Sequence, residues 1–381
     1  CGGGGGTGGT GGTGQAAVSQ GVITAKGSVF VNGIEFSTAG ATIKIDDNPG
    51  SEGDLKVGMV VKVRGSSDDA TKKGTATQIE ARDILEGKID NNGVDAVNKT
   101  LTVMGQTVRI EDNVTRLNDD DTKIVFGDVT WVPGNFVEVH GFADDQGKVR
   151  ATRVLQKLTG EFESKGFVTG LAPTSFGLAL TPGGAVVLTV NFAGSLPAGT
   201  IEGSFVEVKS AIAPVANAIT ATLIHLEDKL GVAGEKVEVE GIVTSGTLAS
   251  FVVNGQPVVT GPSTLYESGL STDFVMGVEL EAEGPLDVNG AIAATKISFR
   301  SNIKIEADAS NVIGNPATSL TVLGKTVAIN QFTRIDNPFV SGDHVEVRAI
   351  LDRNGSLIAT RIVVKGASTK AFLQGPLTLA D

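Results

Sequence analysis

Along this chain, short apolar runs alternate residue by residue with polar positions, and the runs are too brief for ordinary helices. The pattern recurs in Val61-Lys62-Val63, Val137-Glu138-Val139, Val206-Glu207-Val208, Leu280-Glu281-Ala282 and Val345-Glu346-Val347. A period of two sets both apolar side chains on one face of a strand and the charge on the other. Such strands predict valines in a core and charges in water. A glycine leads each of them: Gly58, Gly134, Gly203, Gly277 and Gly342. An Ala-Thr motif follows each, as Ala76-Thr77, Ala151-Thr152, Ala221-Thr222, Ala294-Thr295 and Ala359-Thr360, spaced 75, 70, 73 and 65 residues apart. Two motifs recurring five times in one order identify an internal repeat of about 70 residues.

Earlier in most units, a turn separates two β-rich runs: Val31-Asn32-Gly33, Val103-Met104-Gly105, Val253-Asn254-Gly255 and Val322-Leu323-Gly324. Asn-Gly between such runs signals a tight hairpin, because both residues tolerate positive φ. The third unit is degenerate here and offers Pro182-Gly183-Gly184. Each unit therefore reads as about five short strands. An open sheet that small would expose its edges, so each unit is expected to close into a barrel. The boundaries read as 16–84, 85–160, 161–234, 235–302 and 303–368, after a tether over 1–15 and before an extra strand over 369–381.

The Val-Asn-Gly turn, the Gly-x-x-Val strand and the closing Ala-Thr strand together resemble domain of unknown function family 5666. That resemblance covers nearly all of residues 16–368. It implies an all-β chain of five tandem small OB-like β-barrels, of a kind found in exported bacterial lipoproteins. It implies no activity.

Residues 2–14 are only Gly and Thr, which predicts a disordered or extended tether. Gly6-Thr7-Gly8-Gly9-Thr10-Gly11 matches GxGxxG by composition alone, since no strand precedes it and no helix pattern follows. Cys1 is the sole cysteine, so no intramolecular disulfide can form. Followed by Gly and Thr, it resembles the lipidated cysteine of bacterial lipoproteins. That resemblance implies a lipid anchor on Cys1 and a place at the outer-membrane surface or outside the cell. The net charge of −12 would repel phosphate, which argues against nucleic acid as a partner.

Catalytic chemistry has little to build on. The three histidines, His140, His225 and His344, fall in different repeats. His140 occupies a position held elsewhere by Arg64, Lys209, Glu283 and Arg348, which reads as a solvent-facing site. No nucleophile elbow or Cys-x-x-Cys spacing occurs. Acidic turns at Asp46-Asp47-Asn48 and at Asp119, Asp120 and Asp121 could offer oxygen ligands to Ca²⁺, though neither has EF-hand spacing. Neither cofactor nor enzyme activity is expected. Trp131, the only tryptophan, is the sole aromatic candidate for a binding face.

Beyond the fifth Ala-Thr motif, Leu373-Gln374-Gly375-Pro376-Leu377-Thr378 lines up with Ser19-Gln20-Gly21-Val22-Ile23-Thr24, the opening strand of the first unit. An apolar strand without its own barrel can cap the fifth unit or add to another molecule's edge. Strand addition through Phe372, Leu373, Gln374, Gly375, Leu377 and Leu379 would be head-to-tail and would propagate a fibre. Two functions follow as expectations. One is a non-enzymatic surface lipoprotein, rod- or fibre-forming, whose partners are further copies of itself or other envelope components. The other is a surface module binding polysaccharide or an envelope protein.

Overall fold

The computed structural model describes residues 15–112, 114–120, 123–227, 230–267, 271–300, 303–330, 333–351 and 356–374. Cys1, the Gly/Thr tether and Gly375, Leu377, Leu379 and Asp121 lie outside the described residues. Among the described residues, secondary structure is strand apart from three short 3₁₀ turns, and no helix is long and apolar enough to cross a membrane.

The repeat folds as its motifs require. In the second unit, the opening strand Leu85–Asp95 pairs with Thr100–Val103, which pairs with Gln106–Arg109. That hairpin runs parallel to the closing strand Val149–Lys157, which pairs with Phe136–Ala143. Phe136–Ala143 returns to the opening strand, so the five-stranded ladder is closed. The fourth and fifth units close in the same order. The first unit lacks only a ladder between its opening strand and its first hairpin. In the third unit, the closing strand is split at its Ala-Thr motif: Ala218–Thr220 pairs with Val186–Asn191, while Leu223–Leu226 pairs with Phe205–Ser210. The second, fourth and fifth units are thus closed five-stranded barrels, and the first and third are variants of the same plan.

Each motif residue has a physical task. The leading glycines Gly58, Gly134, Gly203, Gly277 and Gly342 all hold positive φ, which side chains resist. In that conformation each donates its N–H to a carbonyl of its own unit's opening strand or the segment ending it, at 2.8–2.9 Å. Met104 and Leu323 adopt positive φ in the hairpin turns as Asn32 and Asn254 do, so tertiary closure overrides their preference. The motif threonines Thr77, Thr222, Thr295 and Thr360 donate their hydroxyls to carbonyls of the valine strand in their own unit. Val61, Val137, Val206 and Val345 are all buried, and each unit has its own apolar cluster.

The barrels do not string out as the rod the sequence suggested. The opening strand of the first unit, Gln15–Val22, pairs in parallel with that of the fourth, Lys236–Thr247, from Ala17↔Lys236 to Gln20↔Val239. The opening strands of the second and third units pair antiparallel through Glu163↔Glu86. Val60, Phe142 and Ile242, from three different barrels, form an apolar cluster between them. Thr152 and Arg153 of the second barrel donate to Gly58 O and Val57 O of the first at 2.6 and 2.7 Å. The fifth barrel reaches the second through Asn330 Nδ2, which donates to Glu111 Oε1 at 2.8 Å.

Phe372–Gln374 pairs antiparallel with Ile303–Ile313, the opening strand of the fifth barrel, through Ile305↔Leu373. It thus takes the place against the fifth barrel that the third unit's opening strand takes against the second. The contact lies within one chain, the capping arrangement. Phe142→Ala should cost about 3–5 kcal/mol, because it removes a fully buried ring without touching any barrel's own core. Limited proteolysis should then cut between barrels before denaturant unfolds them. Retention of wild-type protease resistance would show that the inter-barrel cluster is not what joins the units.

Candidate functional site

Two places bring chemistry-bearing side chains together, and both lie between barrels. The first arises from the charged positions of the valine strands. Sequence placed these in water, but Glu138, Glu207, Glu281 and Glu346 are buried, as is His140. The correction has a simple cause. The charges on that face meet long cationic side chains of flanking strands, or of the link in the case of Glu207, and these cover them, so the alternation does not mark a water-facing side.

Charges buried there have to find partners. Arg82, in the link between the first two barrels, reaches Asp47 at 2.8 Å, Glu207 at 3.3 Å and Glu227 at 3.6 Å. Lys209 contacts Glu163 and Glu207, both at 3.0 Å. Lys157 bridges Glu86 at 2.7 Å and Glu138 at 2.9 Å, and His140 Nε2 lies 2.9 Å from the other Glu138 oxygen. Lys236 joins Asp69 at 2.5 Å and Glu283 at 3.0 Å across the first and fourth barrels. Asp83 is the exception. It is only 2 % exposed, yet neither carboxylate oxygen has a hydrogen-bond partner.

The second place is a cleft of about 880 Å³ between the second, fourth and fifth barrels. Arg109, Lys148, Arg150, Lys304, Arg348, Arg361 and Lys365 line it, against five acidic residues. A net-positive wall is unusual for a chain carrying −12. Its focus is Glu346, a single carboxylate that faces Lys365 at 3.0 Å, Lys304 at 3.1 Å and Arg348 at 3.5 Å. Burial alone would raise the Glu346 carboxyl, but hydrogen bonds from Lys365 and Lys304 hold it below the usual range. Two lysines on this one anion leave positive potential facing the cleft.

The residues singled out from sequence fare unevenly. Asp119 is exposed and lies 3.6 Å from Arg153, and neither it nor Asp120 belongs to any converging carboxylate group among the described residues. Trp131 is buried, donating its indole N–H to Phe126 O at 2.9 Å, so it offers no stacking face. Phe372 stands beside Lys304, whose ammonium lies 5.3 Å from the ring centre. Asp46 does join a group: one oxygen each from Asp46, Glu86 and Glu138 lie within 4.8 Å of one another. Sequence missed the cleft because its walls come from three repeats, and no motif within one repeat points to it.

The family model described as Domain of unknown function (DUF5666) matches residues 17–80, 86–154, 240–298 and 308–363. The chain belongs to the DUF5666 family. The unmatched third barrel is the one with the split closing strand, so the DUF5666 pattern fails where the ladder does. Among solved structures, drosophila Unr CSD456 is 15% identical, over 74% of this chain and 98% of that chain, with a TM-score of 0.20. No curated relative matches.

The buried carboxylates predict an unusual pH profile. Burial, aided by Glu207 and opposed by Lys165, pushes Glu163 up to about 7, and burial opposed by Arg300 does the same for Glu281. The folded state then holds more protons than the unfolded state between about pH 4.5 and 7, so stability falls as pH rises through that window. Glu138 runs the other way. Burial would raise it, but His140 and Lys157 hold it at about 2, so its contribution is present above about pH 4.5 and lost on acidification toward 2. Calorimetry in metal-free buffer should show Tm highest near pH 5 and falling toward pH 8. Glu163→Gln should flatten that fall, and an unchanged slope would show that Glu163 is already ionised at neutral pH.

Proposed function

We propose that this tandem DUF5666 chain is a non-catalytic binding scaffold, and that its ligand is an anionic polymer lodged in the cleft between the second, fourth and fifth barrels. The two lysines Lys304 and Lys365 on the single carboxylate of Glu346 carry this reading. A carboxylated polysaccharide suits the site, because its acidic groups can take up the cationic charge that Glu346 leaves unbalanced. The cleft volume accommodates a few sugar units, and binding there would brace three barrels at once. On this reading, acylation of Cys1 holds the barrels near a bacterial membrane through the Gly/Thr tether. The chain then serves as an envelope module rather than a fibre subunit.

Affinity electrophoresis through a gel containing polygalacturonate should retard the protein, and the retardation should weaken with added salt. Neutral dextran should leave mobility unchanged. Lys304→Ala combined with Lys365→Ala should weaken polygalacturonate binding ~10-fold or more, the scale expected for losing charge-assisted contacts. Equal mobility of the double variant and the wild type would overturn the cleft as the site.

Fibre formation makes the opposite demand on the C-terminal strand. Deleting residues 369–381 should leave the mass in solution unchanged, measured by light scattering, because Phe372–Gln374 pairs within its own chain. Loss of a multimer on deletion would restore the donor-strand reading.

A further inference from the structure

We propose that the closing strand of the third barrel, Leu223–Leu226, is a docking edge for an extended segment of a partner protein. That segment carries a hydroxyl residue, a basic residue and an aliphatic residue in succession, and it adds to the edge in parallel. The other four barrels show what this edge lacks. In each, a short strand runs parallel to the closing strand at the last two residues of its Ala-Thr-x-Ile/Val motif. The pairs are Thr42↔Gln78 and Ile43↔Ile79, Arg116↔Arg153 and Leu117↔Val154, Leu265↔Lys296 and Tyr266↔Ile297, Arg334↔Arg361 and Ile335↔Ile362. The corresponding residues of the third unit are Leu223 and Ile224. Among the described residues, Leu223–Leu226 pairs only with the valine strand Phe205–Ser210. Beneath their cover strands Ile79, Val154, Ile297 and Ile362 are fully buried, whereas Ile224 is half-buried. Leu223 is 49 % exposed at a position that is Gln78, Arg153, Lys296 or Arg361 in the other units. An apolar residue on an unpaired edge invites another strand.

The local sequence explains the gap. In the fifth unit the hairpin strand makes its last pair at Ala328↔Ile358, and the cover strand begins six residues later at Arg334. In the third unit the last pair is Asn191↔Thr220, and the residue six further on is Pro197. Proline has no N–H for a ladder. The chain turns there instead, with Thr200 N donating to Pro197 O at 3.1 Å and Gly199 at positive φ. The sister units also specify the occupant. Thr115, Thr264 and Thr333 precede their cover strands and donate their hydroxyls to Ala151 O, Ala294 O and Ala359 O at 2.9, 2.7 and 2.7 Å. Leu196 holds that place in the third unit and has no hydroxyl for Ala221 O. An aliphatic residue follows two places after the threonine, as Leu117 does, and it joins the same apolar cluster as Val154. The residue between them is arginine in the second and fifth units, a charge that suits approach to a chain of −12. The chain's own Thr-Arg segments are already paired to their own barrels, so the occupant is another protein.

The probe is a fluorescein-labelled peptide with the sequence of residues 114–119, Val-Thr-Arg-Leu-Asn-Asp, titrated with the full chain and followed by fluorescence polarisation. Binding should saturate. Peptides with Ala for Thr or Asp for Leu should bind roughly tenfold more weakly or worse. The same peptide N-methylated at Arg and Leu keeps its side chains but loses its ladder donors, and it should not bind. In the protein, Leu196→Thr with Pro197→Arg and Ala198→Leu should lay the chain's own segment along Leu223–Leu226, raise Tm and abolish peptide binding. No saturable signal, or equal binding of the methylated peptide, would overturn the edge whether or not the triple variant folds. Undiminished binding to a folded triple variant would place the peptide elsewhere and overturn it too. A dimer of the chain that the peptide dissociates, seen by light scattering, would assign the edge to a second copy and overturn the partner.

Discussion

The arrangement of these barrels rests on burying charge. A five-stranded barrel of about 70 residues has a thin core, and each valine strand carries a charged residue on its other face. Cationic side chains of flanking strands, or of the link, cover those faces. Once Glu138, Glu207, Glu281 and Glu346 are removed from water, each must meet a cation from the same or another unit. Arg82 and Lys236 cross between units to do so. Only the pairs that cross between units bear on docking: a barrel set in the wrong place would part Arg82 from Glu207 or Lys236 from Asp69. How far such pairs also add net stability is a different matter, since desolvation opposes every one of them.

The fold of each unit was legible because it is written locally and repeatedly. The glycine before each valine strand, the hairpin glycines and the Ala-Thr motif each fix a feature inside one repeat, and they sit where the pattern put them except in the third unit, whose Ala-Thr motif breaks the closing strand. The docking of units was not legible. Polar alternation in Val137-Glu138-Val139 is the same whether water or a lysine covers the glutamate. His140 illustrates the difficulty, since variation among His, Arg, Lys and Glu at that position suggested solvent. His140, Glu283 and Arg348 are buried there against different partners, whereas Arg64 and Lys209 are half-buried.

The candidate sites were hidden in the same way. Lys304 and Lys365 belong to the fifth barrel, but the cleft exists only because the second and fourth stand opposite. The group of Asp46, Glu86 and Glu138, closed by Lys157, needs a turn from one barrel and two strands from the next. Acidic turns seen in sequence were therefore an uneven guide: Asp46 lands in a converging group, whereas Asp119 points outward to an arginine. Within a tandem array, the spaces between repeats can specialise while every repeat keeps its own plan.

The parallel ladder between the first and fourth opening strands has a consequence for biogenesis. Its partners lie 219 residues apart, as in the hydrogen bond from Ser19 to Glu238. During synthesis or export, the first barrel emerges long before the strand that covers its edge. Until then that edge is bare, and bare edges recruit foreign strands. Assembly of this molecule is thus ordered by a late long-range closure, and the interval before it is when a chaperone would matter most.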